Sequence, residues 1–358
     1  MEQQAQPAGG ARAPAALAWA VADDTPLPTD PIERLVYYAR LAPSTRNTQP
    51  WRFVLAPSAI GVFADSTRWL KVADPSRREL HASIGCAIES LRVAADYAGF
   101  GTAVDYFPLA DERAFVARVA VAHEGPPRPR AAPELLRYLI RRRTCRKPFG
   151  RERPVSDEDR RHLYCSFEVG DVSLQFLHER PLILALAELE EAADRQLFAQ
   201  TAYREERARW ARDGLSGAQW LASAIGELAA VRPGAAERLA LEDGARIVNA
   251  PLAALLSTRG DTPRDAVQAG EAYMRLALVA ESRGVRVQPM SQVLEVPETR
   301  RALAGLCQLG ARVPQQLFRM GHAEAESGPR QRRPLASMIT REAAPEAKAG
   351  AANPGANG

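Results

Sequence analysis

Residues 29–340 predict an α+β fold built by repeating one unit. Three observations carry this. Capped helix patterns alternate with short strand patterns, and the alternation restarts after the proline-rich stretch GPPRPR at 125–130. Two helices, one in each half, also share the spacing G-x-A-x3-L-x3-A-x3-G. It runs through Gly85, Ala87, Leu91, Ala95 and Gly99, then through Gly270, Ala272, Leu276, Ala280 and Gly284. Gly and Ala on one face let two backbones approach, so these helices are expected to pack on each other at the centre.

The elements follow in order. Thr29-Asp30-Pro31-Ile32-Glu33 starts a helix, with Asp30 as cap, Pro31 in the first turn and Glu33 completing a capping box. That helix stops before Pro43. Arg52–Ala56 and Ile60–Ala64 read as a hairpin, and Asp74-Pro75 opens a helix with Ile84, Ile88, Leu91 and Ala95 on one stripe. Gly99 or Gly101 ends it, and Phe115–Ala122 is a strand. In the second half a helix from Pro133 runs into RRRTCRKPF, a capped helix follows Ser156, and Val172–Leu177 is a strand. A long charged helix spans about 181–212. Leu252–Ser257 is a strand, Thr262-Pro263 caps a helix that Gly284 ends, another strand starts at Val285, and Gln315–Met320 supplies the last.

Composition narrows the class of function. The 358 residues are 46% hydrophobic and 25% charged, ordinary for a globular protein. The 47 basic and 43 acidic residues leave only +4, which argues against a nucleic-acid partner. Lys occurs only at 71, 147 and 348, an arginine bias that reflects base composition. Cys86, Cys145, Cys165 and Cys307 have neither CxxC spacing nor clustering with His, so no disulfide framework or zinc site is expected, and a reducing cytoplasmic setting fits. The five scattered histidines form no metal-ligand pair. No run of 18 apolar residues exists to span a membrane. APAALAWAVA (13–22) has the length of a signal peptide, but only Arg12 is positive before it and Glu2 is acidic. Residues 1–28 and 341–358 read as flexible tails.

The stretch ARLAPSTRNTQPWRF is close to the signature A-P-S-x-x-N-x-Q-P-W, and Arg142-Arg143-Thr144-Cys145-Arg146 is close to R-R-S-x-R with Thr for Ser. With these motifs the chain resembles the nitroreductase family of FMN flavoproteins. DPSRREL, SIGCAIESL and the spacing of QPMSQ and RRPL resemble its Acg-type branch, in which two nitroreductase-like units share a chain. The resemblance covers about 30–340 and is poor over about 190–245. It implies nitroreductase-like mixed sheets wrapped by helices, with the two fused units forming an intramolecular pseudo-dimer. One unit would span 29–124 and the other 131–340, and a monomer becomes possible. The first half holds the A-P-S loop. The second holds the Arg-Arg-Thr segment, the QPMSQ turn and RRPL, while its own loop is the short YCSFEVGDV. The complementary halves imply one composite site and one FMN per chain.

In that site Pro43, Ser44, Thr45, Asn47 and Gln49 would face the flavin edge, where neutral amides and hydroxyls meet both donors and acceptors. The alternative is that the loop ties off its own backbone. Arg142, Arg143, Thr144 and Arg146, with Arg332 and Arg333, would hold the phosphate; the alternative leaves some of these arginines solvated. Pro289, Met290, Ser291 and Gln292 would bring backbone N–H groups to the flavin's reactive nitrogen. Ser291 and Gln292 replace an acidic residue and a Gly, and Gln292 would crowd the face where substrates stack. The flavin carries the chemistry, so no catalytic side chain and no metal are required. NAD(P)H would donate hydride, and a nitroaromatic, quinone or similar small molecule would accept electrons. Residues 195–245, with Tyr203, Trp210 and Trp220, are read either as a lid over the pocket or as a helix pair packed on the second unit. A lid would favour a second function, sequestering FMN without turnover.

Overall fold

The computed structural model describes residues 25–122, 131–213, 234–326 and 331–342. The GPPRPR linker, most of the two tails and Trp220 lie outside the described residues. The first half runs α1 (Pro31–Ala39), β1 (Trp51–Ala56), β2 (Ala59–Ala64), α2 (Arg78–Ala98), β3 (Gly101–Tyr106) and β4 (Phe115–Ala122). The second begins with α3 (Leu136–Arg141), α4 (Asp157–Tyr164) and β5 (Ser173–Leu177), followed by α5 (Arg180–Ala199), α6 (Thr201–Asp213) and α7 (Ala235–Val248). It continues through β6 (Leu252–Thr258), α8 (Pro263–Ser282), β7 (Arg286–Pro289), α9 (Gln292–Glu295), α10 (Pro297–Leu306), β8 (Val313–Gly321) and β9 (Ile339–Arg341).

The strands form two sheets, ordered β3-β4-β2-β1-β9 and β5-β6-β8-β7. Reading β5, β6, β7 and β8 as counterparts of β1, β2, β3 and β4 makes the orders the same, so the repeat seen in the helix pattern is a repeat of topology. The first sheet is mixed, because β9 joins β1 in parallel through Phe53 and Ile339, while every pairing in the second is antiparallel. The end of the span read as the second unit, 331–340, thus crosses to the first sheet, and Arg341, read as the start of a flexible tail, completes the strand there.

The repeated helices α2 and α8 form the seam, as their glycines require. A Cβ on Gly85 would stand 2.8 Å from the Val267 carbonyl carbon, and one on Gly270 would stand 2.7 Å from that of Ala82. Each glycine lies three residues after the carbonyl that its counterpart meets, so the contact is reciprocal. Buried ion pairs bridge the same seam: Arg275 to Glu89 at 2.6 Å and Arg92 to Glu271 at 3.3 Å.

Several local expectations change. Helix α2 begins at Arg78, not at Asp74-Pro75, because Arg77 turns left-handed (φ 62°) ahead of it. Asp74 still serves that helix from outside, accepting the Leu80 N–H at 2.9 Å. The charged stretch at 181–212 is two helices broken at extended Gln200. RRRTCRKPF leaves the helix at Arg142, which is extended (ψ 129°). Strand β3 went unread, and β9, not β8, is last.

Candidate functional site

Between Pro43 and Pro50 the chain makes a short turn over Thr45–Asn47 and places three non-glycine residues in the left-handed region: Arg46 (φ 50°), Asn47 (φ 56°) and Gln49 (φ 50°). Such conformations cost on the order of 1–3 kcal/mol each and persist only where surrounding contacts impose them. Those contacts come from three sides. From α2, Ser83 Oγ accepts the Thr45 N–H at 3.3 Å; within the loop, Ser44 Oγ accepts the Gln49 N–H at 2.9 Å. From the chain end, Arg332 donates to Asn47 Oδ1 at 3.1 Å, Asn47 Nδ2 donates to the Gln331 carbonyl at 3.0 Å, and the Arg333 N–H donates to Gln49 Oε1 at 2.8 Å. From the helices between β5 and β6, Tyr203 takes a hydrogen bond from Arg46 at 2.7 Å, with the guanidinium 4.8 Å from the ring centre.

Arg332 and Arg333 therefore stand at the loop, but their guanidinium groups meet the main chain. Arg332 donates to the carbonyls of Leu41 at 3.0 Å and Ala42 at 3.4 Å. Arg333 donates to those of Gln49 at 2.9 Å and Trp51 at 3.3 Å, and pairs with Asp65 at 3.4 Å. The Asn47 side chain is held by the tail, and that of Gln49 is shared between the tail and the Asn47 carbonyl, to which it donates at 3.2 Å. Ser44 is used as an acceptor, which leaves its own hydroxyl proton to donate.

The second unit supplies two more segments. The Cys145 N–H donates to the Val287 carbonyl at 3.2 Å, laying RRRTC along β7, whose end is the QPMSQ turn. Arg142 is buried, and its charge reaches Cys86 on α2 and Tyr273 on α8. Arg143 and Thr144 are half-buried; burial, then the charge of Arg142, hold the Arg143 guanidinium below its ordinary pKa, with Glu326 opposing. The side chain of Arg146 is exposed, and its N–H donates to Glu326 at 2.9 Å. Cys145 is a buried filler whose thiol is raised first by burial. In the turn, Pro289 ends β7, the Met290 N–H is taken by Leu317 at 2.9 Å, and the Met290 side chain is buried in apolar surroundings. Ser291 precedes α9 without a side-chain cap, and the Gln292 amide donates to Asp243 at 3.2 Å instead of standing free.

Helix α6 seats on the first unit. Tyr203 and Trp210 share an apolar cluster with Leu70, Ala73, Leu197 and Phe198. The buried Glu206 carboxylate accepts the N–H groups of Val72 and Ala73 at 3.1 and 2.9 Å. The described part of this segment, 201–213, thus contacts both halves, through Leu70 and Ala73 on one side and Leu197 and Phe198 on the other, and residues 214–233 lie outside the described residues.

Sequence reasoning missed the acids beneath this cover. Glu190 and Asp194, one turn apart on the inner face of α5, are fully buried; Glu190 accepts the Val293 N–H at 3.0 Å. Burial first, then the neighbouring acids Asp194 and Asp243, lifts Glu190 well above the ordinary carboxylate range. Burial and Asp243 raise Asp194 to about 7. Burial raises Glu295 to about 8 although Arg46 lies 3.4 Å away. An acidic pair at this spacing on an otherwise apolar stripe was the available signal. Acids with raised pKa bind protons in the folded chain that the unfolded chain releases near pH 4, so their contribution is lost as pH rises through the folded values. We expect stability to fall between pH 5 and 8, and Asp194→Asn to restore on the order of 1–2 kcal/mol at pH 8 with little effect at pH 5. Urea unfolding at the two pH values measures this.

Two surface clefts lie elsewhere. One of about 500 Å³ is lined by Arg153, Ser156, Asp159, Arg283 and His322, and one of about 390 Å³ by Asp30, Leu55 and Arg341 among others. Among the described residues, no group of three or more His, Cys, Asp or Glu is placed to hold a metal, and no helix is long and apolar enough to cross a membrane.

No family model matches the chain. A curated Mycobacterium tuberculosis protein, "Putative NAD(P)H nitroreductase Rv3131", is 28% identical over 303 residues, covering 80% of this chain and 84% of that protein. "Uncharacterized protein Rv3127" of the same organism is 26% identical over 346 residues, 88% and 94% of the two chains. "Putative NAD(P)H nitroreductase acg", again of M. tuberculosis, is 38% identical over 85 residues, 24% of this chain and 26% of that one. Among solved structures, B. megaterium NfrA2 is 15% identical with a TM-score of 0.39, covering 60% of this chain and 76% of that one. A nitroreductase with bound FMN from Bacteroides fragilis is 14% identical with a TM-score of 0.37, covering 55% and 95%. These two structural overlaps are too slight to argue from. Over 80% of its length the chain is thus similar to a protein named a putative NAD(P)H nitroreductase. Its shorter, stronger similarity to acg agrees with the Acg-type motifs.

Proposed function

We propose that the protein is an FMN-dependent oxidoreductase that takes hydride from NAD(P)H and passes electrons to a small nitroaromatic, quinone or similar acceptor. The observation that carries this is the meeting at the seam of segments far apart in sequence. The loop at 43–49, the tail at 331–333 and α9 just after the QPMSQ turn are joined by direct hydrogen bonds and an ion pair. The RRRTC segment lies along the strand that leads into the same turn.

The residues fit such a cofactor at its phosphate. Arg142 and Arg143 are adjacent, Arg142 buried and Arg143 half-buried, and burial together with the charge of Arg142 lowers the pKa of the Arg143 guanidinium, a charge that an anion would stabilise. Arg143 and Thr144 would hold the phosphate with Arg142 behind them, while the Arg146 N–H is already given to Glu326. Ser44 would donate its hydroxyl proton to the ring edge from a loop stiffened by Pro43, while Pro289, Met290, Ser291 and Gln292 wall the opposite side. Bound FMN would supply the hydride acceptance and return. The relatives' names agree with this chemistry. We read 29–124 and 131–340 as two units sharing one such site, one FMN per chain, in a cytoplasmic monomer without a nucleic-acid partner.

The second reading, FMN held without turnover beneath a cover at 195–245, is favoured by Arg46, which ties the loop to Tyr203 on α6. One experiment separates the two. The protein is loaded with FMN, desalted, and its spectrum followed under anaerobic NADPH and then NADH. One retained flavin per chain that bleaches supports the oxidoreductase. Retained flavin that bleaches only in Arg46→Ala supports the covered site. No retained flavin in the unaltered protein sinks both.

A further inference from the structure

We infer that Arg332 and Arg333 are positioning residues that hold the loop at 44–49 in its left-handed conformation, not ligands of a phosphate. The resemblance implies the phosphate role; the contacts point to another. Four main-chain carbonyls, those of Leu41, Ala42, Gln49 and Trp51, accept from the two guanidinium groups. Arg332 also reaches Asn47 Oδ1, the Arg333 N–H reaches Gln49 Oε1, and Asp65 supplies a counter-charge to Arg333 at 3.4 Å. Asn47 and Gln49 are two of the three residues with positive φ, and both are gripped by the tail through their side chains. The tail is itself anchored, because the strand that follows it, β9, pairs with β1 directly after the loop. A fork that bridges successive carbonyls fixes the path of the chain in a way that a single-point ammonium cannot. The last segment of the second half therefore sets the shape of the loop in the first half before any ligand arrives.

The flavin arm of the test rests on the function proposed above; the exchange arm does not. Arg332→Gln, Arg333→Gln and the milder Arg333→Lys are compared with the unaltered chain. In protein without added flavin, amide hydrogen exchange at residues 44–51 should quicken at least tenfold in each variant, with exchange in α8 unchanged as the check on folding. Dissociation constants for FMN and for riboflavin, which lacks the phosphate, should then rise by the same factor, about tenfold. Arg143→Gln should instead weaken FMN and spare riboflavin. Unchanged exchange at 44–51, or a loss confined to FMN in the tail variants, overturns the inference. If the glutamine variants fail to fold, Arg333→Lys decides on the same readings. If the unaltered protein binds neither flavin, the functional reading fails while the exchange result still judges the clamp.

Discussion

Gly270→Ala is expected to destabilise the fold by about 3 kcal/mol, the top of the usual range for overpacking. Two effects compete. Alanine favours a helix over glycine by about 1 kcal/mol. Against that, the added Cβ would stand 2.7 Å from the Ala82 carbonyl carbon, in the backbone of a neighbouring helix that has no rotamer through which to yield. Relief requires α2 and α8 to separate, and every buried contact along the seam loosens with them. Gly85→Ala meets Val267 in the same way and should cost a similar amount. Gly305, in α10, has nothing within 4 Å of an added Cβ, so Gly305→Ala should stabilise by about 0.5–1 kcal/mol. Urea midpoints of the three variants test this; equal effects at Gly270 and Gly305 would show that the seam is not closely packed.

Arg275→Met should cost about 3 kcal/mol, because breaking a buried pair leaves a carboxylate without its partner in a dry interface. The side chains of Arg275 and Glu89 are 5% and 2% exposed, so water cannot substitute for the lost guanidinium. Arg92, 3.8 Å from Glu89, tempers the loss but is shared with Glu271 at 3.3 Å. Adding Glu89→Leu to Arg275→Met should recover most of the stability, since removing both members of a buried pair is often nearly neutral. A double variant as weak as the single one would mean that the cost is lost packing of the arginine stem and not an unpaired charge.

Features carried by neighbouring residues were legible beforehand. Asp30 accepts from the N–H groups of Ile32 and Glu33, Thr262 and Asp265 form a full capping box, and Gly99 ends α2 at φ 80°. The hairpin Trp51–Ala64 and the strand Phe115–Ala122 were also readable, since alternation and turn residues report on local geometry. Strand β9 was not, because three residues hold no pattern of their own and become a strand only by pairing with Phe53, Val54 and Leu55. Asp74 misled for a related reason. Its side chain does cap a helix, but across a turn that brings it to Leu80, and capping preference is blind to that distance in sequence.

The sequence by itself carried a repeated helix pattern whose two glycine-marked helices meet, one loop that gathers neutral amides and hydroxyls, and other segments that gather arginines. Composition and spacing express those properties directly. Only the tertiary structure decided what each group touches. A guanidinium binds a carbonyl, a carboxylate or a phosphate with the same donors. Arg332 and Arg333 became loop clamps, Arg46 a tie to α6, and Arg143 a half-buried guanidinium beside the buried Arg142 because of what the fold set around each. The buried acids of α5 follow the same logic, since nothing in a run of residues states which side of a helix its neighbours will cover.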